Sequence, residues 1–335
     1  MVAGSLAVGK VPPGVLSKVV YPHTGKPNRR LLVGPGIGRD VGVIKYDRLF
    51  VLSSDPITGT SRRIGEHSVH VNANDIATAG ARPVWYVCTI LLPPGASERA
   101  LSIIMRGIDA ACRSLGITVV QGHTEATIGL DRPIVAGFMI GERKGRLLDA
   151  KDMRPGDAIV MTKTAGIEGT AILASDFARQ IAPVETGILN RARRFSDQIS
   201  VVKEALRISN LPGLRAMHDP TEGGVLNACW ELGESSNLGV DVWADEIPIA
   251  EETSRICTRL RLDPLKLMSS GCLLAIVAPG AVNRVVKVLG ELHVQTSIVG
   301  RMTTRKHGRF YSKNGKRFGL VAIPRDELYS LARDT

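Results

Sequence analysis

The stretch DAKDMRPGDAIVMT, Asp149 to Thr162, divides this chain of 335 residues. Charged residues and a Pro155–Gly156 turn lead into a fresh apolar strand, Ala158 to Met161, the punctuation that separates one packed segment from the next. Strand and helix patterns are mixed on both sides of the break, which admits few architectures. The length suffices for two cores. The pattern therefore predicts two α+β domains, at 31–150 and 151–335, preceded by a loosely structured arm at 1–30 that is rich in Gly, Pro, Lys and Arg.

In the first half, VGVIKYDRLFVLSSD reads as two strands joined at Lys45–Arg48, a polar connection suited to a hairpin. SERALSIIMRGIDAACRSLG reads as a helix with Leu101, Ile104, Met105, Ile108, Cys112 and Leu115 on one face, capped by Ser97 and stopped by Gly116. A strand ITVV, a polar loop QGHTEA and a strand PIVAGFMIGE follow. The second half offers a helix after HDPTEGG, a strand at LLAIVAP, a helix from Ala281 and a strand at SIVG.

Polar residues interrupt these patterns at a few places. In HVNANDIATAGARP, the helix carrying Ile76, Ala77, Ala79 and Gly80 opens with Asn72, Asn74 and Asp75. Two readings stand: Asn and Asp are preferred helix caps, or Asp75 joins a set of acids. The hairpin supplies that set. With Lys45–Arg48 as the turn, Asp40 falls opposite Ser53 and Asp55 lies diagonally beyond, so the two carboxylates stand roughly 7–8 Å apart. Like charges that close repel unless a cation lies between them, and magnesium takes one or two carboxylates and completes its shell with water and phosphate oxygens. In HDPTEGG, Asp219, Pro220 and Glu222 make a helix-capping arrangement, while Gly223 and Gly224 favour close approach of another group. VGPGIGRD lacks the G-K-[ST] of a Walker loop, yet Gly36 and Gly38 can bring backbone N–H groups to a phosphate. His123, at a strand end, suits either a structural hydrogen bond or an active role.

Composition narrows the function. The net charge is +11, but basic residues are dispersed except in RMTTRKHGRFYSKNGKR, Arg301 to Arg317, and aromatics amount to only 4%. That leaves no stacking platform for single-stranded nucleic acid and favours a small anionic ligand. The five cysteines are scattered singly without a C-x-x-C pair, so no zinc or redox dithiol is suggested; Cys112 and Cys257 read as core residues. No apolar run is long enough to span a membrane, no signal peptide is evident, and a cytoplasmic protein is expected.

The order of the segments GPGIGRDVGVI, SSDPI, HVNANDIATAGARP, QGHTE, RPGDAIVMTKTAGIEGTAIL, HDPTEGG and SSGCLL resembles the aminoimidazole ribonucleotide synthetase (PurM-like) superfamily from about Leu31 to about residue 325. HDPTEGGVLNACWELGESSNLGVDVWADEIPI and RLDPLKLMSSG look most like its hydrogenase-maturation branch, HypE. The resemblance implies a two-domain fold whose N-terminal mixed sheet builds a barrel at a homodimer interface, with a C-terminal α/β domain. It implies ATP and Mg2+ as cofactors, phosphoryl activation of an oxygen on a small carbamoyl- or amide-type substrate, and a maturation partner protein. By position, Asp40, Asp55 and Asp75 match magnesium- and phosphate-handling acids. Asn74, Thr124, Asp219, Thr221, Gly223 and Gly224 match nucleotide-side positions. Asp219, Glu222 and His123 are the candidates for substrate-side or proton-transfer roles. The chain departs from HypE in ending IPRDELYSLARDT, without the Pro-Arg-Ile-Cys tail, in reading GHTE for G-D-T-K, and in placing Ser270 where HypE has Glu. A non-catalytic nucleotide-binding scaffold is the alternative that these departures raise.

Overall fold

The computed structural model describes residues 29–331 apart from 34, 35, 40, 59, 61, 182 and 183, together with 13–15 and 17. The expected arm and Asp40 thus lie wholly or largely outside the described residues. The first half forms a six-stranded sheet from β1 (Leu31–Val33), β2 (Gly42–Lys45), β3 (Leu49–Ile57), β4 (Arg82–Leu92), β5 (Thr118–Ala126) and β6 (Ile134–Arg143), in the order β1-β2-β3-β6-β4-β5. The hairpin forms as read, with one change of register. Gly42 pairs with Leu52 rather than Val51. The spacing expected between Asp40 and Asp55 falls on a residue outside the described ones.

Helices Ile64–Thr78 and Glu98–Leu115 cover this sheet. The second has the Ser97 cap and the left-handed Gly116 stop that its sequence announces. The two helices touch backbone to backbone, because a Cβ on Gly65 would lie 2.2 Å from the Ile104 carbonyl oxygen. QGHTEA proves to be strand, the greater part of β5, which pairs in parallel with β4. A polar segment takes up extended structure here because β4 offers a full edge for its backbone groups. All nine residues of β5 are exposed, and Val120 is 51% and Ile128 89% accessible.

The second half forms a seven-stranded sheet from β7 (Ala158–Thr162), β8 (Leu214–His218), β9 (Gly239–Trp243), β10 (Leu274–Val277), β11 (Thr296–Thr303), β12 (Arg309–Lys313) and β13 (Lys316–Gly319), ordered β13-β12-β9-β11-β7-β10-β8. Helices Ile167–Asp176, Val202–Ile208, Gly224–Ser236, Glu251–Leu260 and Val282–Gly290 surround it. The central strands β7 and β10 read as near-continuous apolar runs because they are buried. Mixed strands and helices in both halves make this the expected two-domain α+β fold. The main core runs across the halves, joining Val43 and Ile76 to Val160, Ala275 and Leu289.

The basic run near the C-terminus folds into the β12–β13 hairpin, where much of its charge is answered locally. Arg301, His307 and Arg317 all reach Asp241, and Arg309 pairs with Glu234 at 2.6 Å. All five cysteines are buried and free. Among the described residues no helix is long and apolar enough to cross a membrane.

Candidate functional site

A cleft opens between the two sheets, walled by β3, the helix Ile64–Thr78, the start of the helix Ile167–Asp176 and the loop before the helix Gly224–Ser236. Asp55, Asp75, Thr221 and Glu222 line it, so four of the candidate residues come together across 167 positions of sequence. Glu168, Ser270, Thr58, Thr60 and Tyr329 line it too. Among the described residues its lining includes four carboxylates and neither lysine nor arginine. In a chain of net charge +11, such a local excess of negative charge marks a place for a cation.

The polar triplet of HVNANDIATAGARP lies in the second half of its helix, which begins at Ile64 with Arg63 as cap. The capping reading of Asn74 and Asp75 is thereby overturned: the helix starts ten residues upstream of Asn74 and eleven upstream of Asp75. Each polar side chain has separate work. Asn72 grips β3, its carboxamide oxygen accepting from Asp55 N at 2.9 Å while its Nδ2 donates to Asp55 O at 3.2 Å. Gly137, opposite Asp55 on β6, leaves room for that amide, since a Cβ there would fall 2.5 Å from Asn72 Nδ2. Asn74 reaches into the second half, donating to Ile199 O at 2.9 Å and accepting from Val201 N at 2.8 Å. It acts as a clamp between halves, in place of the nucleotide contact expected of it. Asp75 accepts a hydrogen bond from Ser53 Oγ, which turns its carboxylate towards β3.

HDPTEGG is no capping box, because the following helix begins at Gly224 with Gly223 as N-cap. Both glycines have positive φ, 79° and 63°, a region that L side chains rarely adopt. Gly223 N donates to Asp326 Oδ2 at 2.7 Å and Gly224 N to Thr221 O at 3.0 Å. The close approach anticipated at these glycines is therefore to protein: a Cβ on Gly224 would stand 2.6 Å from Leu265 O. Asp219 is fully buried beneath this loop rather than in the cleft lining. Burial raises the nearby Cys272 thiol, with Asp219 a lesser contributor, so that thiol stays protonated and unreactive.

Asp326 anchors the loop from the C-terminal side. Its oxygens accept from Gly223 N and Leu328 N at 2.7 and 2.8 Å, yet burial outweighs these bonds and pushes its carboxyl up to about 7. The folded state thus binds this proton more tightly than the unfolded chain, where the ordinary value of about 3.9 applies. Stability from this group is full below about pH 4 and falls as pH rises towards 7. Asp326→Asn removes that slope: between pH 5 and pH 8 the wild-type melting temperature drops relative to the variant. Parallel melting curves would sink this account.

The remaining candidates stand apart. His123 and Thr124 lie on the exposed strand β5 and do not line the cleft. His123 pairs with Thr89, Thr89 with Ala136 and Ala136 with Pro56, three strand spacings or roughly 14 Å from β3. Its ring meets Glu125 at 3.1 Å, so within one chain it does not reach the acids. Gly36 is not in the cleft either, and Gly38 packs on the helix Gly224–Ser236, where a Cβ would lie 2.8 Å from Glu231 O. The conformational freedom read as phosphate binding is used at Gly38 for packing. Among the described residues no three His, Cys, Asp or Glu side chains converge to ligate one ion; Asp40 lies outside the described residues, and Asp55 and Asp75 are the members of the expected triad that line the cleft.

Glu168 escaped sequence reasoning, although a signal was present. A carboxylate in GIEGTAILA, surrounded by small and apolar residues, has to be buried and therefore to have a purpose. Tyr329 and Thr60 gave no such signal, since their place in the cleft depends on tertiary contacts such as Thr60 Oγ1 donating to Asp176 at 2.8 Å.

Comparison with known proteins supplies the remaining observation. The sequence matches the family described as AIR synthase related protein, its N-terminal domain over residues 38–143 and its C-terminal domain over 154–313. It is 31% identical over 258 residues to a putative hydrogenase expression/formation protein of Methanocaldococcus jannaschii, covering 76% of this chain and 74% of that protein. It is 30% identical over 240 residues to the carbamoyl dehydratase HypE of Bradyrhizobium diazoefficiens, covering 70% of this chain and 66% of that protein. The fold is shared with the hydrogenase maturation protein HypE in complex with ATP, at a TM-score of 0.70, 21% identity, and coverage of 95% of this chain and 96% of the other.

Proposed function

Because this chain belongs to the AIR synthase related protein family, we propose that its cleft binds ATP with magnesium and passes the terminal phosphoryl group to an oxygen of a carbamoyl- or amide-type acceptor. The observation that carries this reading is that Asp55 and Asp75 line one cleft which, among the described residues, has carboxylates but no lysine or arginine in its lining. A triphosphate is repelled by such a wall unless a divalent cation stands between them. The donor set fits magnesium, which needs one or two protein carboxylates and takes its other oxygens from phosphate and water. When bound, that ion supplies neutralisation of the charge that develops on the transferring group.

The chain's own residues do the positioning. Asn72 fixes the β3 backbone at Asp55, and Ser53 fixes the Asp75 carboxylate. Asp326 holds the loop that presents Thr221 and Glu222. Rigid placement of this kind is most of what a phosphoryl-transfer site contributes. The names of the relatives support the acceptor class, and hydrogenase maturation as the setting. A homodimer is part of the reading, with a second copy covering the exposed strand β5 and bringing His123 and Thr124 out of solvent.

The test is ADP release from ATP by the purified chain. Turnover is expected with magnesium and is lost on adding EDTA, and the same sample is expected to scatter light at twice the mass of one chain. Absence of both ATP binding and turnover in magnesium overturns the reading.

A further inference from the structure

Two walls of the cleft belong to different halves of the chain, and a short stretch near the C-terminus joins them. On the first-half side, β3 ends its pairing with β6 at Ile57, opposite Val135. Thr58 and Thr60 continue into the cleft lining beyond that ladder, and both are held from the second half. Thr60 Oγ1 donates to Asp176 at 2.8 Å, and the Thr58 side chain hydrogen-bonds the Tyr329 hydroxyl. On the second-half side, Thr221 and Glu222 line the cleft next to Gly223, whose N–H donates to Asp326. Asp326 and Tyr329 belong to one turn, closed by Tyr329 N donating to Asp326 O at 3.1 Å and by Arg325 donating to Tyr329 O. Contacts therefore run unbroken from Gly223 through residues 326–329 to Thr58. Packing of this segment is the work of Leu328, 2% exposed and clustered with Ile172 and Met268. Tyr329 does something else: its side chain lines the cleft and its hydroxyl crosses to the other half. Burial pushes that hydroxyl up to about 12, so it stays protonated.

We infer that Tyr329 is a positioning residue for the nucleotide site, its bond to Thr58 holding the loop after β3 and the Thr221–Glu222 loop at the separation that magnesium–ATP requires. This rests on the function proposed above and makes the C-terminal segment part of the site. The physical reason lies in the loop. Once past Ile57 its backbone has no strand partner, and ordering such residues costs about 1–2 kcal/mol each. The Tyr329 hydroxyl fixes Thr58 before any ligand arrives, so that cost does not fall on binding. Without the bond the ligand itself has to order the loop. The loss is then the same in the bound ground state and in the transition state, which raises KM and leaves kcat alone.

The experiment measures ADP release against magnesium–ATP concentration in the wild type, Tyr329→Phe, Thr58→Val, Thr58→Ser and the double variant Tyr329→Phe/Thr58→Val. Tyr329→Phe keeps the ring and its packing but loses the hydroxyl. It is expected to raise KM about three- to tenfold, the scale of one neutral hydrogen bond, with kcat within twofold. Thr58→Val removes the same bond from the other side and is expected to match it. Thr58→Ser retains a hydroxyl and stays within twofold of the wild type. Because both substitutions break one bond, the double variant is expected to be no worse than either single one. Melting temperatures of every variant serve as the control, since a purely structural role lowers stability and the active fraction without moving KM. An unchanged KM in Tyr329→Phe overturns the inference, as do losses that multiply in the double variant, or a Thr58→Ser as impaired as Thr58→Val. A wild type that neither binds nor cleaves ATP overturns the function beneath it as well, so the two failures are told apart.

Discussion

Asp75→Asn is expected to reduce magnesium–ATP turnover by about 100-fold or more, the scale on which removal of one preorganised electrostatic contact acts, while the protein stays folded. The substitution preserves shape and leaves an amide oxygen able to accept from Ser53 Oγ, the bond that orients Asp75. Packing around the helix Ile64–Thr78 therefore survives. What disappears is one of the two expected metal-side carboxylates that line the cleft. A neutral amide oxygen holds a hard divalent cation less well than a carboxylate, so the half-saturating magnesium concentration rises together with the loss of rate. Asp55→Asn behaves alike, because its backbone remains fixed by Asn72 through two hydrogen bonds. The measurement is steady-state ADP release across a magnesium titration, with circular dichroism as the control for folding. Full turnover at unchanged magnesium dependence in the Asp75 variant removes this acid from the site and takes the metal assignment with it.

The sequence was most informative where local rules decide the outcome. The helix Glu98–Leu115 follows from its apolar stripe, its Ser97 cap and its Gly116 stop, all of which are local. The β2–β3 hairpin follows from alternation around a polar turn, although its register shifted by one, since neither strand declares a partner before the sheet assembles. Helix entrances failed for a common reason. Asn74, Asp75, Asp219 and Glu222 are residue types favoured at caps, yet Asn74 is spent on Ile199 and Val201 and the helix beyond Glu222 waits until Gly224. In those places a tertiary hydrogen bond outweighed a local propensity of about 1 kcal/mol. For the cleft, Asp55, Asp75, Thr221 and Glu222 were legible because order along the chain matched a known pattern. Glu168 carried only a local signal of burial, because its part depends on the approach of two helices, one carrying His67 and the other Glu168 itself.

A buried cation helps to tie the two halves, and Arg143→Met is expected to destabilise the protein by about 3 kcal/mol or more, from the carbonyl oxygens it leaves without donors. Arg143 is the last residue of β6 and only 4% exposed. Its guanidinium donates through Nε and Nη2 to Arg146 O, through Nη1 to Gly80 O and Ser209 Oγ, and through Nη2 to Ser209 O, at distances of 2.6 to 3.2 Å. Gly80 belongs to the first half and Ser209 to the second, so a single side chain ties them. Two effects oppose each other in the variant. Removing a charge that burial already disfavours, as the lowered pKa of Arg143 records, relieves a desolvation cost. Methionine, however, leaves three carbonyl oxygens without donors at a buried joint, each costing about 1–3 kcal/mol, and the second effect prevails because it is repeated three times. Arg143→Lys separates the two: it keeps the charge but offers a point donor in place of a planar fork, so it cannot reach both halves and still loses much of the stability. A melting temperature for Arg143→Met equal to or above that of the wild type, with Arg143→Lys the less stable of the two variants, would mean that the buried charge and not the shared carbonyls governs this joint.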